Sequence, residues 1–169
     1  LMGRQIGLCA AIHGVDATVY DLNPDVLKAV QAWEDEYLAG RIAKGRMTEE
    51  QVAATRERFT LEGDLEKAAG DVDCIIECII EVQEAKAELF RKLDGIIRPD
   101  TIVATNSSFM ISSLFADCFR DPSRLCNMQG RNIPCVFIPA KAKRLQNPML
   151  ILLRKFPFLI RQKPRLVQF

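Results

Sequence analysis

Histidine is almost missing from this chain of 169 residues, in which His13 is the only one. A histidine-rich metal site is therefore excluded, and we expect no structural metal. The six cysteines show no paired spacing, which argues against a disulfide framework and favours a reducing, cytoplasmic location. No apolar run approaches the roughly 18 residues that a membrane-spanning helix needs, and the first residues lack the order of a signal peptide. We therefore expect no membrane partner.

Acidic residues are absent from the C-terminal part of the sequence. Residues 1–121 contain all 22 acidic residues and 13 basic ones, whereas residues 122–169 contain ten basic residues and no acidic one. A single domain seldom changes composition so abruptly. We predict a domain over residues 1–127 and an irregular basic tail over residues 128–169.

Apolar runs of strand length alternate with apolar residues at helical spacing through residues 1–127. Residues 71–108 read strand, helix, strand, with strands over residues 72–77 and 101–104 and a helix over residues 82–97. Upstream, a strand ends at Tyr20, and Asn23 followed by Pro24 opens a long helix. Its predicted apolar face carries Val26, Val30, Trp33 and Tyr37. This alternation predicts an α/β fold with a doubly wound parallel sheet.

Polar residues follow the strands of the predicted sheet. In such sheets, ligands bind in the crevice outside the carboxyl ends of the strands. Asp21 follows the first strand and lies 18 residues after Gly3, near the spacing expected of an acid that binds the adenosine ribose of a dinucleotide. A carboxylate there repels a 2′-phosphate and so favours NAD over NADP. The alternative is a structural Asx turn before Asn23.

The sequence opens inside what reads as a glycine-rich phosphate turn. Met2 and Gly3 begin the first helix, with Gly3 in the place of the third glycine of such a turn. The strand and the two glycines that precede it are not in this sequence. The predicted sheet therefore lacks its first strand, and we expect a neighbouring strand to expose an unpaired edge.

Four segments of the sequence form a recognisable set: MGRQIGLCAAIHG, TVYDLNPDVL, IIECIIEVQEAKAELFRKLD and ATNSS. Together they resemble the NAD-binding N-terminal domain of the 3-hydroxyacyl-CoA dehydrogenase family, from Leu1 to about Met128. The resemblance implies a Rossmann-like fold, NAD as cofactor, and oxidation of a (3S)-3-hydroxyacyl-CoA in fatty-acid or butyrate metabolism. It also implies dimerisation through an all-helical C-terminal domain, whose place the basic tail takes here.

The resemblance also implies roles for individual residues. Met2 and Gly3 fall on the pyrophosphate turn and Asp21 on the ribose-binding acid. Glu81, Lys86 and Asn106 fall on the nicotinamide side, Ser108 on the contact to the 3-oxygen of the substrate, and Lys44 near a basic residue used on CoA.

Each of these roles has a structural alternative. Glu81 and Lys86 form a plausible solvated pair at a helix start, and residues 106–108 are suited to capping the next helix. Lys44 lies near a helix C-terminus, where a cation is favoured in any case.

The resemblance fails at the general base. The family uses a histidine oriented by a glutamate, and these positions fall on Gln129 and Lys141. An amide cannot take a proton as a general base does, and an ammonium cannot accept the imidazole N–H. His13 belongs to the first helix and is expected to be a helix-end residue. We expect the dehydrogenase activity to be impaired in this chain.

Two other functions are compatible with the sequence. The first is a non-catalytic fragment that retains nucleotide binding. The second is a binder of nucleic acid or of an acidic membrane surface, through the basic residues and phenylalanines of the tail. No amphipathic period organises those charges, so we expect no nucleic-acid partner.

Overall fold

Seven strands form one sheet in the structure, a computed structural model that describes residues 2–129, 136–139 and 165–168. The strands are Asp16–Tyr20 (β1), Phe59–Glu62 (β2), Cys74–Glu77 (β3), Ile102–Thr105 (β4), Leu125–Gln129 (β5), Val136–Pro139 (β6) and Arg165–Gln168 (β7). The helices are Met2–Ile12 (α1), Pro24–Ala43 (α2), Glu49–Arg58 (α3), Leu65–Ala69 (α4) and Gln83–Ile96 (α5). Two 3-10 helices, Ser112–Cys118 and Pro122–Arg124, precede β5.

The strand order is β2-β1-β7-β3-β4-β5-β6. All neighbouring pairs are parallel except β5 and β6, which are antiparallel. Because helices lie between most consecutive strands, the chain can return to the same edge and start each new strand in the same direction. The predicted α/β fold with a parallel sheet is therefore confirmed.

The strand at the centre of the sheet comes from the far end of the chain. β7 pairs in parallel with β1, where Asp16 lies opposite Arg165, and with β3, where Cys74 lies opposite Leu166. In a dinucleotide-binding fold this place belongs to the strand that leads into the first helix. The expectation of an unpaired edge beside β1 or β3 is therefore wrong, because a four-residue segment of the basic tail supplies the missing backbone partner. Of the rest of the tail, residues 128–129 and 136–139 are described, and the boundary at residue 127 stays a prediction.

Side chains that alternate along the strands pack on both faces of the sheet. Ile75, Val103 and Leu125 pack on one face against Phe90 of α5 and Phe115 of the longer 3-10 helix. On the other face, the neighbouring strand residues Cys74, Ile76, Ala104 and Cys126 pack with Ile6 of α1. Successive side chains of a strand point to opposite faces, so α1 and α5 cover opposite sides of a doubly wound sheet.

Local capping signals place the helix starts. The Asn23 side chain accepts a hydrogen bond from the Asp25 amide at the start of α2. Thr48 and Gln51 form a reciprocal capping box at the start of α3, as the sequence predicts. The Asp64 carboxylate accepts the amides of Glu66 and Lys67 at the start of α4.

The buried face of α2 differs from the predicted one. Val30, Glu34 and Leu38 are buried, whereas Val26 and Tyr37 are each 40% exposed. The buried residues lie at positions i, i+4 and i+8 of the helix. The face predicted from the apolar residues is therefore rotated by about one residue from the face that is buried. Trp33 and Tyr37 instead stack on each other, with ring centroids 5.4 Å apart.

The segment after β4 forms two 3-10 helices. They are held to α5 by Asp94, whose carboxylate accepts hydrogen bonds from Arg120 Nε at 2.8 Å and Arg124 Nη2 at 3.1 Å. Among the described residues, no helix is both long and apolar enough to cross a membrane.

Candidate functional site

The carboxyl ends of β1, β3 and β4 lie at one edge of the sheet, because these strands run in the same direction. β1 is followed by Asp21, β3 by the loop that contains Glu81, and β4 by residues that include Ser108. The structure therefore brings these three predicted site residues to the same edge. This is the edge at which ligands bind in open α/β sheets.

Asp21 lies in a cleft of about 640 Å³ at this edge. Leu22, Ile79 and Leu89 contribute apolar walls to the cleft. Asp21 Oδ1 accepts the Asn23 amide at 2.9 Å, so the Asx turn considered as an alternative is also present. A carboxylate has two oxygens with four lone-pair sites in total, so this turn leaves capacity to accept ribose hydroxyls.

The cleft around Asp21 is predominantly acidic. Asp64 and Glu88 also line it, and the cation lining it is Lys92, which pairs with Glu88 at 2.8 Å. The hydrogen bond and the charge of Lys92 lower the pKa of Glu88. Burial, and next the negative charge of Asp21, raise the pKa of the Tyr20 phenol, which also lines the cleft. The negative charges of this cleft repel a phosphate group on the ribose, such as the 2′-phosphate of NADP.

A network of buried polar side chains lies beside the loops after β3 and β4. Lys86 of α5 is 1% exposed, and its Nζ lies 2.6 Å from Glu77 Oε1 and 3.9 Å from Glu81 Oε2. Glu81 is half-exposed, and its Oε2 accepts a hydrogen bond from Ser107 Oγ at 2.7 Å. Lys86 thus forms a buried ion pair with Glu77 and lies behind Glu81. The solvated pair of Glu81 and Lys86 considered from the sequence is not formed.

Residues 106–108 lead into a turn at the carboxyl edge. Ser107 Oγ accepts the amides of Phe109 at 3.3 Å and Met110 at 2.7 Å within a turn. The next helix, Ser112–Cys118, has no side-chain cap, so the prediction that residues 106–108 cap it is wrong. Asn106 is partly buried, and its amide donates to the Glu77 carbonyl at 2.8 Å. Ser108 is exposed. The hydroxyl of Ser108 can therefore meet a ligand at the carboxyl edge.

Met2 and Gly3 form the first turn of α1. Because α1 connects directly to the start of β1, it runs against the strands, and its N-terminus lies toward the carboxyl edge. Met2 is 52% exposed. Helix N-termini present unpaired N–H groups that suit phosphate oxygens. With the acid and apolar walls of the Asp21 cleft at the same edge, the residues present fit a bound NAD.

Lys44 lies away from Asp21, at the C-terminus of α2, where its amide caps the helix by donating to Gly40 O. It lines a second cleft of about 430 Å³ together with Trp33, Tyr37, Arg41 and Arg46. The Arg41 guanidinium lies 5.9 Å from the Tyr37 ring centroid. This cleft therefore combines three cations and one acid, Glu36, with two aromatic rings.

Of the remaining predicted positions, Gln129 also lies at the carboxyl edge, because β5 runs parallel to β4, whereas His13 lies at the far end of α1. Gln129 is the last residue of β5, paired with Val136 of β6, while Lys141 lies outside the described residues. His13 follows the C-terminal end of α1, where Nδ1 lies 2.7 Å from the Cys9 carbonyl oxygen. It is a helix-end residue, as expected, and lies at the opposite end of α1 from Met2.

Sequence reasoning missed Glu77 and Thr105. Glu77 is fully buried, and its Oε2 accepts a hydrogen bond from Thr105 Oγ1 at 2.6 Å. The sequence does contain one indication of this network, which is an acidic residue at the end of an apolar strand. A carboxylate buried at such a position requires a hydrogen-bonding or charged partner. Lys86, nine residues later on the next helix, is that partner.

Comparison with known proteins gives a consistent result. The sequence model of a family described as "3-hydroxyacyl-CoA dehydrogenase, NAD binding domain" matches residues 1–134. A probable 3-hydroxybutyryl-CoA dehydrogenase of Bacillus subtilis is 34% identical over 131 residues, which are 78% of this chain and 45% of that protein. A 3-hydroxybutyryl-CoA dehydrogenase of Bradyrhizobium diazoefficiens is 30% identical over 131 residues, 78% of this chain and 44% of that protein. The chain thus spans about half the length of these curated relatives.

Solved structures share the fold. FadB2 of M. tuberculosis superimposes with a TM-score of 0.79 at 22% identity, over 99% of this chain and 60% of that one. The (S)-3-hydroxybutyryl-CoA dehydrogenase PaaH1 of Ralstonia eutropha superimposes with a TM-score of 0.78 at 18% identity, over 99% and 59% of the two chains.

Proposed function

The chain belongs to the 3-hydroxyacyl-CoA dehydrogenase family through its NAD-binding domain, and from this we propose that it binds NAD and a 3-hydroxyacyl-CoA at the carboxyl edge of its sheet. The observation that carries the proposal is the convergence of the Asp21 cleft with the exposed ends of the loops after β3 and β4. NAD, when bound, takes up the hydride in the oxidation that defines the family. The chain's own residues bind and orient the two partners.

Asp21 binds the adenosine end of the cofactor. Its carboxylate accepts the ribose hydroxyls, while Leu22 and Leu89 provide apolar surface for the adenine. Asp64 and Glu88 in the same cleft make a 2′-phosphate unfavourable. NAD is therefore preferred over NADP.

The nicotinamide end lies near Glu81, Asn106 and Ser108. The Asn106 side-chain amide can both donate and accept, which suits a carboxamide partner. The exposed Ser108 hydroxyl donates to the 3-oxygen of the substrate. Lys86 acts through Glu81, because its buried ammonium lies behind that carboxylate.

The CoA moiety binds in the cleft that contains Lys44. Arg41, Lys44 and Arg46 provide positive charge for phosphates, and the partly exposed ring of Tyr37 provides apolar surface for an adenine. Trp33 supports that ring from its stacked position and itself contacts the Arg4 guanidinium, 4.4 Å from its centroid. This extends the prediction for Lys44 to a set of neighbouring residues. Because Trp33 is the only tryptophan, its fluorescence reports directly on this cleft.

A non-catalytic, nucleotide-binding function is the second candidate, and Gln129 favours it. The amide of glutamine cannot accept the hydroxyl proton of the substrate, so the step that needs a general base lacks its usual group. Turnover of acetoacetyl-CoA with NADH distinguishes this candidate from the dehydrogenase.

Calorimetric titration with NAD and NADP tests the cofactor proposal. We expect tighter binding of NAD than of NADP, and Asp21→Ala should weaken NAD binding by about tenfold or more, since it removes hydrogen bonds to a charged group. Asp25→Ala is the matched control, because Asp25 is an exposed acid in the same stretch that pairs with Lys28 outside the cleft. Equal affinity for NAD and NADP, or an equal effect of both substitutions, would contradict the role of Asp21.

A further inference from the structure

Glu77 joins three elements at the carboxyl edge through one buried carboxylate. It is the last residue of β3 and is fully buried. Its Oε1 accepts hydrogen bonds from Lys86 Nζ of α5 at 2.6 Å and from the Ile79 amide at 2.7 Å. Its Oε2 accepts a hydrogen bond from Thr105 Oγ1 of β4 at 2.6 Å.

Each of these contacts lies next to a residue of the nicotinamide side. Ile79 begins the loop that contains Glu81, and Lys86 lies 3.9 Å from the Glu81 carboxylate. Thr105 directly precedes Asn106, whose amide donates to the Glu77 carbonyl at 2.8 Å. Both the main chain and the side chain of Glu77 therefore connect the loop after β3 to the segment after β4.

Stability alone does not account for an ion pair at this position. Removing two charges from water is costly, and well-packed apolar residues of similar volume often stabilise a fold as well or better. A pair that is 0% and 1% exposed is instead suited to fixing geometry, because its short, charge-assisted hydrogen bonds tolerate little displacement.

We propose that Glu77 is a positioning residue that fixes the Glu81 loop and residues 106–108 relative to each other for binding the nicotinamide end of NAD. The role rests on the proposed function, since it presupposes NAD at this edge. Glu77 itself is buried and acts through Lys86, Ile79 and Thr105.

Glu77→Gln is the decisive substitution because it keeps the size of the side chain and removes its charge. Lys86 then loses its buried counter-charge, and Thr105 loses a carboxylate acceptor. We expect NADH affinity to fall about tenfold, the usual effect of losing one hydrogen bond to a charged group. The affinity for ADP-ribose, which lacks the nicotinamide, should change by less than about threefold, within the spread of small context effects.

The experiment is a calorimetric titration of the 169-residue chain and its variants with NADH and with ADP-ribose. Asp35→Asn is the matched control, because it makes the same carboxylate-to-amide change in a half-exposed ion pair with Arg56 between α2 and α3. A selective loss of NADH affinity in Glu77→Gln, absent from Asp35→Asn, supports the proposal. Parallel losses for both ligands, or no loss for either, overturn it.

Hydrogen exchange provides a readout that does not depend on a ligand. The amides of Ile79, Asn106 and Ser107 should exchange faster in Glu77→Gln than in the unmodified chain, and unchanged exchange at all three overturns the positioning role. If Glu77→Gln does not fold, Thr105→Val decides, because it leaves the ion pair of Glu77 with Lys86 intact and should produce a smaller selective loss. It removes the 2.6 Å hydrogen bond to Glu77 and the 3.2 Å hydrogen bond that Thr105 Oγ1 accepts from the Ser107 amide. Failure of the unmodified chain to bind either ligand would instead refute the proposed function.

Discussion

Glu34 is a buried carboxyl group that lowers the stability of the folded state at neutral pH. It is 2% exposed on the core-facing stripe of α2, and its Oε2 accepts a hydrogen bond from Gln31 Nε2 at 2.9 Å. Burial raises the pKa of the Glu34 carboxyl, although the charge of Arg56 and the hydrogen bond from Gln31 partly oppose the increase. The raised pKa means that the folded state holds the proton more strongly than the unfolded state does.

The pH dependence of this effect has a definite sign. Below the ordinary pKa of glutamate both states are protonated, and Glu34 causes no loss of stability. As the pH rises through the ordinary pKa toward the raised one, the unfolded state releases its proton first and stability falls. Glu34→Gln should therefore raise the free energy of unfolding at pH 7 by about 0.5–2 kcal/mol, the usual range for one stabilising substitution.

Urea unfolding at pH 7 and near pH 4 measures this difference. The advantage of Glu34→Gln over the unmodified chain should shrink at the lower pH. Glu36→Gln, an exposed change on the same helix, should show no such trend. An advantage that is constant with pH would show that ionisation of Glu34 is not its cause.

Individual site residues differed in how far the sequence could locate them. Asp21 and Ser108 follow strands whose ends can be predicted from the sequence. Their position at the same edge of the sheet was therefore predictable. The burial of Lys86 and the role of Glu77 depend on contacts between β3, α5 and β4, which no local pattern reports. The sequence likewise could not show that Glu34 lies on the buried stripe of α2, because burial of a carboxylate opposes its usual preference.

At the scale of elements, local signals predicted the helices and strands of residues 2–129 closely. The capping box of α3 and the Asn23-Pro24 start of α2 require only residues that are near in sequence. The position of β7 was not predictable in this way. Its pairing with β1 joins residues 16–19 to residues 165–168, and such long-range pairing leaves no periodic trace in either segment.

The central strand offers a direct test of this long-range pairing. Val167 of β7 lies opposite Thr18 of β1 and Ile75 of β3. Val167→Pro removes a ladder N–H in the middle of a sheet and should lower the free energy of unfolding by about 3 kcal/mol or more. Val167→Ile keeps the amide and the β-branched side chain and should cost less than about 1.5 kcal/mol, the range for similar apolar exchanges.

Thermal unfolding and light scattering measure the consequences. Loss of β7 from the sheet would expose the facing edges of β1 and β3, so Val167→Pro should also self-associate. If both variants melt at the temperature of the unmodified chain and stay monodisperse, β7 does not complete the sheet in solution.

At the scale of the whole molecule, the proposed function combines a set of binding groups with a catalytic set that is incomplete. The acid of the Asp21 cleft, the exposed Ser108 and the cations near Lys44 all belong to residues 1–127, whereas the family's histidine position is occupied by Gln129. In the proposed function, binding and proton transfer therefore depend on different residues. The first can persist without the second.

Measuring turnover alongside NADH binding tests whether the chain binds its ligands without catalysing the reaction. We expect the 169-residue chain to bind NADH yet reduce acetoacetyl-CoA at a rate near background. General acid–base catalysis typically contributes about 10²–10⁴-fold, and the Gln129 amide cannot donate the proton that the substrate oxygen takes up in this direction. Gln129→His alone should recover little, since the position of the orienting carboxylate is occupied by Lys141.

Gln129→His combined with Lys141→Glu, compared with Gln129→His alone in a steady-state assay of NADH oxidation, measures what the orienting acid contributes. Ser108→Ala is the control for any residual rate, because a rate that survives it does not use the proposed substrate contact. Robust turnover by the unmodified chain would contradict the prediction and require a proton donor other than residue 129.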